Sequence, residues 1–298
     1  KVTPSPFYYT RVNTITYGAA LSSQQVDTLP AWWWNQGTLT QIPGTTIYSP
    51  TIGTVLPAGT HTLQLTFLPT DNVNFNPAVA TSTITVQRAT VAAGSITLTP
   101  PGSLSYTGSA KAYTASATGV AAFTYSYSGR AGTVYGPSDV PPTYAGDYTI
   151  TATVNDPNYQ GSKSLDFTIA RATPTITAPP TATGLTFGQT LALSTLSGGT
   201  ASVPGSFAFR DSSAQVNAVG SIPQDIVFTP TDTVNYAPAA GTVFINVAPL
   251  AIAAGAFTFS APSSLAYSGS PKTHSATATG PSGTLYGMTY SYVGVSGT

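Results

Sequence analysis

The sequence predicts an all-β chain of β-sandwich modules in tandem, and three observations carry that expectation. Apolar and polar residues alternate with period two over short stretches, 28 glycines and 25 prolines interrupt the chain too often for long helices, and whole segments recur along it.

The strands follow from the alternation. In "HTLQLTF" (61–67), Leu63, Leu65 and Phe67 take one face and Thr62, Gln64 and Thr66 the other. In "YTITATV" (148–154), Tyr148, Ile150, Ala152 and Val154 alternate with three threonines. One apolar and one polar face per strand is the pattern of an antiparallel sheet with a wet side. Threonine suits that side because it is β-branched and polar. Turn signals at intervals of about ten residues space such strands as sandwiches do.

The repeats set the domain organisation. "ITYGAALS" from Ile15 returns as "LTFGQTLALS" from Leu185, and "TFLPTDNVNFNPA" (66–78) returns as "VFTPTDTVNYAPA" (227–239). "LSYTGSAKAYTASATG" (104–119) returns as "LAYSGSPKTHSATATG" (265–280), and "FTYSYSGRAGT" (123–133) as "MTYSYVGVSGT" (288–298). Two unlike modules therefore alternate: A1 over 1–88, B1 over 89–171, A2 over 172–248 and B2 over 249–298. Both types close on a small turn, a strand, an Asp-containing corner and a last strand. The junctions at Arg88 and Arg171 read "RAT", and the opening "KVTP" has the same form. Thr298 aligns with Thr133, so B2 is expected to be incomplete at its C-terminal end. Its closing strands are expected either from a continuation of the same array or from a neighbouring chain.

These segments resemble bacterial immunoglobulin-like repeats, including the MBG subclass of very large surface and secreted proteins. The resemblance rests on "ITYGAALS", "TVLPAGTHTLQLTFLPTD" and "TASVPGSFAF" for module A, and on "LSYTGSAKAYT", "YAGDYTITATVNDPNY" and the "RATP" junction for module B. It implies tandem immunoglobulin-like β-sandwich modules in an extended array, serving as spacers and adhesive arms. It brings no catalytic residues to this chain.

Composition narrows the function. Charged residues make up 6% of the chain, against about a quarter in ordinary domains, with nine basic residues balanced by nine Asp and no Glu. Near-zero net charge favours association and removes the basic footprint of nucleic-acid binding. No apolar run reaches the roughly 18 residues of a membrane span in this segment. Zero cysteine excludes disulfides and thiolate chemistry. An extracellular or cell-surface setting is expected.

The search for chemistry yields no catalytic or metal-binding residue and no cofactor. His61 and His274 fall on expected strands and exchange with tyrosine between modules, which reads as packing. The recurring corner holds Asp71 and Phe75 in A1, Asp156 and Tyr159 in B1, and Asp232 and Tyr236 in A2. One carboxylate per corner is too few for calcium. The expected role is structural, with Asp capping backbone N–H groups and the aromatic docking as in a tyrosine corner. Lys111 and Lys272 are equivalent, but without Glu they lack the acid that a self-formed amide crosslink requires.

All three tryptophans, Trp32, Trp33 and Trp34, lie in "PAWWWNQG", which A2 lacks at the corresponding place. As a strand, the run would put Trp32 and Trp34 on one face and Trp33 on the other. Three roles are open: packing on its own or the next module, an anchor for a neighbouring subunit, or a platform for sugar rings. Tyr125 and Tyr127, and their equivalents Tyr290 and Tyr292, share a strand face and read as core or rim packing. The expected function is a non-enzymatic structural repeat protein, a fibre, stalk or adhesin arm that self-associates or spaces a binding tip. The alternative is a carbohydrate-binding adhesin using the tryptophan run.

Overall fold

A computed structural model describes the chain except residues 5–7, 10–11, 29–30, 36–37, 254–255, 265, 267, 279–287 and 289–298. It is built from strands joined by turns, with two short 3₁₀ turns at Ala93–Ser95 and Leu191–Leu193. The architecture is all-β, of tandem immunoglobulin-like sandwiches. The chain falls into two units, Lys1–Ala172 with Val234–Tyr236, and Thr173–Thr233 with Ala237–Thr298.

In the first unit, residues 1–88 form a four-stranded sheet in the order Thr14–Thr16, Ala78–Gln87, Gly59–Pro69, Gly44–Ser49. The first pair is parallel and the other two antiparallel. The alternation of the long strand sets its register, since Leu63, Leu65 and Phe67 are all buried. Leu63 joins Leu21, Val26, Leu56, Ile84 and Val86 in one cluster, while Leu65 and Phe67 meet Ala31 and Ile42 in a second. Each leucine, isoleucine, valine or phenylalanine among them contributes about 1.5–3 kcal/mol by leaving water.

Residues 89–171 form a three-stranded antiparallel sheet, Phe123–Arg130, Gly146–Val154 and Ser162–Ile169, faced by the pair Thr97–Thr99 and Thr114–Ser116. Its core is aromatic. Phe167 lies with ring centroids 4.9 Å from Tyr113, 5.6 Å from Tyr148 and 6.4 Å from Tyr127. The two tyrosines of "FTYSYSG" spend their hydroxyls on backbone. Tyr127 Oη accepts from the Tyr113 N–H at 3.1 Å, and Tyr125 Oη from the Ala115 N–H at 2.9 Å. On the wet face Thr149 donates to Asp166 at 2.6 Å and Thr151 pairs with Ser164 at 2.8 Å, polar contacts across the ladder.

Burial raises the pKa of Tyr113, Tyr127 and Tyr148 above the ordinary tyrosine value by disfavouring the charged phenolate. The folded state therefore keeps these phenols protonated where the unfolded chain ionises them. Their stabilising effect is complete below a pH of about 10 and is lost as pH rises through the raised folded values. Denaturant unfolding of the full chain at pH 8 and pH 11 is expected to show the transition of this tyrosine-rich segment moving to lower denaturant at the higher pH. An unmoved transition would contradict it.

The second unit repeats the four-stranded arrangement in the order Leu185–Thr186, Ala239–Ala248, Gly220–Pro230, Gly205–Phe209. Leu185, Leu191, Val216, Ile245 and Val247 form its core. Of residues 249–298, the described strands are Phe257–Ser260 and Ser275–Ala278, paired antiparallel. The expected incompleteness of B2, and Tyr290 and Tyr292, lie outside the described residues.

His61 lies on its strand, with Nε2 2.7 Å from the Pro57 carbonyl oxygen. At the matching place Tyr148 Oη donates to the Tyr144 carbonyl at 2.8 Å. The exchange of His for Tyr thus preserves a ring-to-carbonyl bond four residues back. His274 differs from expectation, since it immediately precedes the strand Ser275–Ala278. Lys111 is buried and donates to Thr107 Oγ1 at 2.9 Å.

Candidate functional site

"AWWWN" forms a strand, Ala31–Asn35, paired antiparallel with Thr38–Ile42 as a two-stranded hairpin. The insertion is anchored at its base, because Ala31 and Ile42 stand opposite each other and both are buried against Leu65 and Phe67. Trp32 is half-buried and pairs through its backbone with Gln41. The side chains of Trp33 and Trp34 lie outside the described residues, though their backbones pair with Thr40 and Leu39.

The corners have a more definite geometry. Asp71 Oδ1 accepts from the N–H groups of Val73 at 3.1 Å and Asn74 at 3.0 Å, while Asn74 Nδ2 donates to Oδ2 at 2.8 Å. Asp156 Oδ1 accepts from Asn158 at 2.8 Å and Tyr159 at 3.2 Å, and its Oδ2 from Ala121 at 3.2 Å. The Asn74 side-chain amide is the largest influence holding Asp71 below the ordinary carboxylate value, and the Asn158 N–H does the same for Asp156. These oxygens are occupied by N–H donors, as an Asx turn requires. Asp232 and Asn235 stand at the same places in the copy at 227–239.

Phe75 packs against the cluster that holds Leu65 and Phe67. The Tyr159 ring packs edge-on against Tyr17 at 5.3 Å, and Asn158 Oδ1 accepts from the Ala58 N–H at 2.9 Å. The junction strand completes the contact. Ala89–Thr90 runs parallel to Tyr159–Gln160, with Ala89 N–H donating to Asn158 O at 2.9 Å and Val91 N–H to Gln160 O at 2.8 Å.

The set recurs within the first unit at Asn235 and Tyr236. Tyr236 packs edge-on against Tyr106 at 5.3 Å, Asn235 Oδ1 accepts from the Ala145 N–H at 2.9 Å, and Ala172 N–H donates to Asn235 O at 2.9 Å. Tyr17 and Tyr106 are matching residues, since each N–H donates to a carbonyl at the end of a last strand, Gln87 and Ala170, at 2.8 Å. Ala58 and Ala145 are likewise matched, each preceding the positive-φ glycine that opens a long strand, Gly59 and Gly146. Each clasp therefore has four parts: a turn alanine, an exit aromatic, a junction strand and an Asn–aromatic corner. In the sequence Asn74 and Asn235 stand out only as possible oxygen donors to calcium beside Asp71 and Asp232; their part in a contact between segments is not legible there, although "N-F" or "N-Y" recurs in all three corners.

Comparison with known proteins places the middle of the chain. Residues 89–173 match the family model of the MBG domain. The MBG-matching segment thus supplies the tyrosine core, Asn158 and Tyr159 of one clasp, and Tyr106, Ala145 and Ala172 of the other. No curated protein matches the chain. Among solved structures, Drosophila N-cadherin EC1-4 is similar at 11% identity and a TM-score of 0.22, over 83% of this chain and 76% of that one. Sidekick-1 immunoglobulin domains 1–5 are similar at 13% identity and a TM-score of 0.19, over 88% of this chain and 62% of that one. At such scores the likeness carries no functional argument. No helix among the described residues is long and apolar enough to cross a membrane.

Proposed function

We propose that this chain is a stretch of a non-enzymatic, extracellular or cell-surface structural protein. In this reading four modules, 1–88, 89–171, 172–248 and 249–298, follow one another in an extended array that acts as a stalk, fibre or adhesin arm. The clasp carries the reading. The same alanine, exit aromatic, junction strand and Asn–aromatic corner are used twice, as a device for fixing one module to the next would be. Stability in such arrays is a sum of module terms and neighbour terms, so the clasp adds rigidity wherever it recurs.

The partner we propose is the chain itself, as neighbouring subunits or as continuing repeats, with no nucleic acid. Low charge supports this, because the surface ion pairs Arg130–Asp166 at 3.3 Å and Arg210–Asp225 at 3.9 Å are exposed and contribute little. The tryptophan hairpin supports a second role, sugar binding, because three indoles stand on one strand that A2 lacks. Sedimentation velocity and a glycan array on the full chain and on Trp32→Ala and Trp33→Ala separate these. Self-association lost in the variants without sugar retention supports the subunit contact. Sugar retention lost in the variants supports the second role. A turnover activity residing in the purified chain would refute the non-enzymatic reading.

A further inference from the structure

We infer that each module is closed by a shear clamp and that the chain is built to carry tension along its length. This rests on the array reading and adds to it a load and the bonds that bear it.

Strand direction carries the inference. The long strands Gly59–Pro69, Gly146–Val154 and Gly220–Pro230 pair antiparallel with both neighbours. Among the described residues the parallel pairs are six, two in each of the first three modules. One of each two ties the entry segment to the corner: Val2 to Phe75, Ala89–Thr90 to Tyr159–Gln160, and Ala172 to Tyr236. The other ties an early strand to the end of the last one: Thr14–Thr16 to residues 85–87, Ser105 to Ala170, and Leu185–Thr186 to residues 247–248. Parallel pairing is thus confined to the places where the chain enters and leaves a module.

Tension turns that placement into a device. A chain pulled at both ends draws the entry of a module backwards and its last strand forwards. Two parallel strands drawn in this way slide along each other, so every bond between them lies across the load and all must give together. Antiparallel strands at the same places would be drawn apart from one end and lose their bonds one at a time. In the MBG-matching segment the closing bonds run from Tyr106 N–H to Ala170 O and from Ala170 N–H to Leu104 O, both at 2.8 Å. In residues 1–88, Tyr17 N–H donates to Gln87 O and Thr85 N–H to Asn13 O, also at 2.8 Å. The junction residues Arg88 and Arg171 follow Gln87 and Ala170 directly, so load passes from junction to clamp without slack.

Force measurements at constant load on the full chain test this. The chain has no cysteine, so introduced ones alone take the handles. Gln87→Cys with Thr173→Cys pulls the MBG-matching segment from its two ends. Thr124→Cys with Thr153→Cys pulls it at two residues that face each other across an antiparallel pair. All four positions are exposed. At one force the segment is expected to last about tenfold longer or more in the first geometry, because two bonds of ordinary net strength then break together. Ala170→Pro removes the N–H that Leu104 O accepts, and is expected to shorten that lifetime about fivefold while leaving the second unchanged. Equal lifetimes in the two geometries overturn the inference, even if Ala170→Pro fails to fold. An effect of Ala170→Pro that is equal in both, which marks an ordinary loss of stability, or absent in the first overturns it too. Both pulls act within one module, so either failure leaves the array reading to be judged from the shape of the chain.

Discussion

Phe167→Ala is expected to unfold the MBG-matching segment at a temperature well below the rest of the chain. The ring is the centre of an aromatic group, stacked on Tyr148 at an interplanar angle of 27°, tilted against Tyr113 at 52° and edge-on to Tyr127 at 82°. It is buried, and its strand Ser162–Ile169 pairs along its length with Gly146–Val154. Removing it takes away the transfer term and leaves a cavity that three large rings cannot close by small shifts. Phenylalanine-to-alanine changes at such sites cost about 3–5 kcal/mol. For a segment of this size that is much of the available stability. Calorimetry of the full chain is expected to split off a low-temperature transition while the transition of the second unit stays in place. A uniform downward shift of all transitions would show that the segments do not unfold by module.

Gly44→Ala and Gly205→Ala are expected to cost about 1–3 kcal/mol each, by overpacking rather than by loss of contacts. A Cβ on Gly44 would stand 2.4 Å from the Leu68 carbonyl oxygen and about as close to the Phe67 ring. On Gly205 it would stand 2.4 Å from the Thr229 carbonyl oxygen and 2.5 Å from the Phe228 ring. Both glycines begin an edge strand directly opposite Pro69 and Pro230, so the backbone carbonyl cannot retreat without breaking the ladder. Chemical denaturation should show similar losses for the two variants, because the sites are copies. A neutral result at either would mean that the strand ends open more easily than their pairing indicates.

The same two glycines show what the sequence made legible. "PG" recurs at 43–44 and 204–205, and that recurrence marks a backbone approach that only glycine permits. The strands were legible for a similarly local reason: one wet face and one dry face write period two directly into "HTLQLTF" and "YTITATV", and the buried set Leu63, Leu65, Phe67, Tyr148, Ile150, Ala152 and Val154 follows it. The aspartates of the corner were legible as turn caps, because an Asx turn is made within a few residues. The direction of the aromatic was not. Tyr159 meets Tyr17 across 142 residues of chain (159 − 17), and no periodicity encodes such a contact. The signal that could have found it is the joint recurrence of the tyrosine at Tyr17 and Tyr106 with the asparagine at Asn158 and Asn235. His274 lies one residue before its strand, as its copy Tyr113 lies one residue before Thr114–Ser116, and a one-residue difference at a strand end is not written in the alternation. The tryptophan run was legible as an insertion, since A2 lacks it, and as a strand. Its contacts depend on partners that alternation cannot name.

In the proposed array the modules follow one another and the clasp fixes each to the next. Electron micrographs of the purified full chain test it most directly. Linear strings of sandwich-sized beads are expected, separate or joined end to end, which lose their regular bearing when Asn158→Ala and Asn235→Ala are combined. A single compact particle unchanged by those substitutions would contradict it.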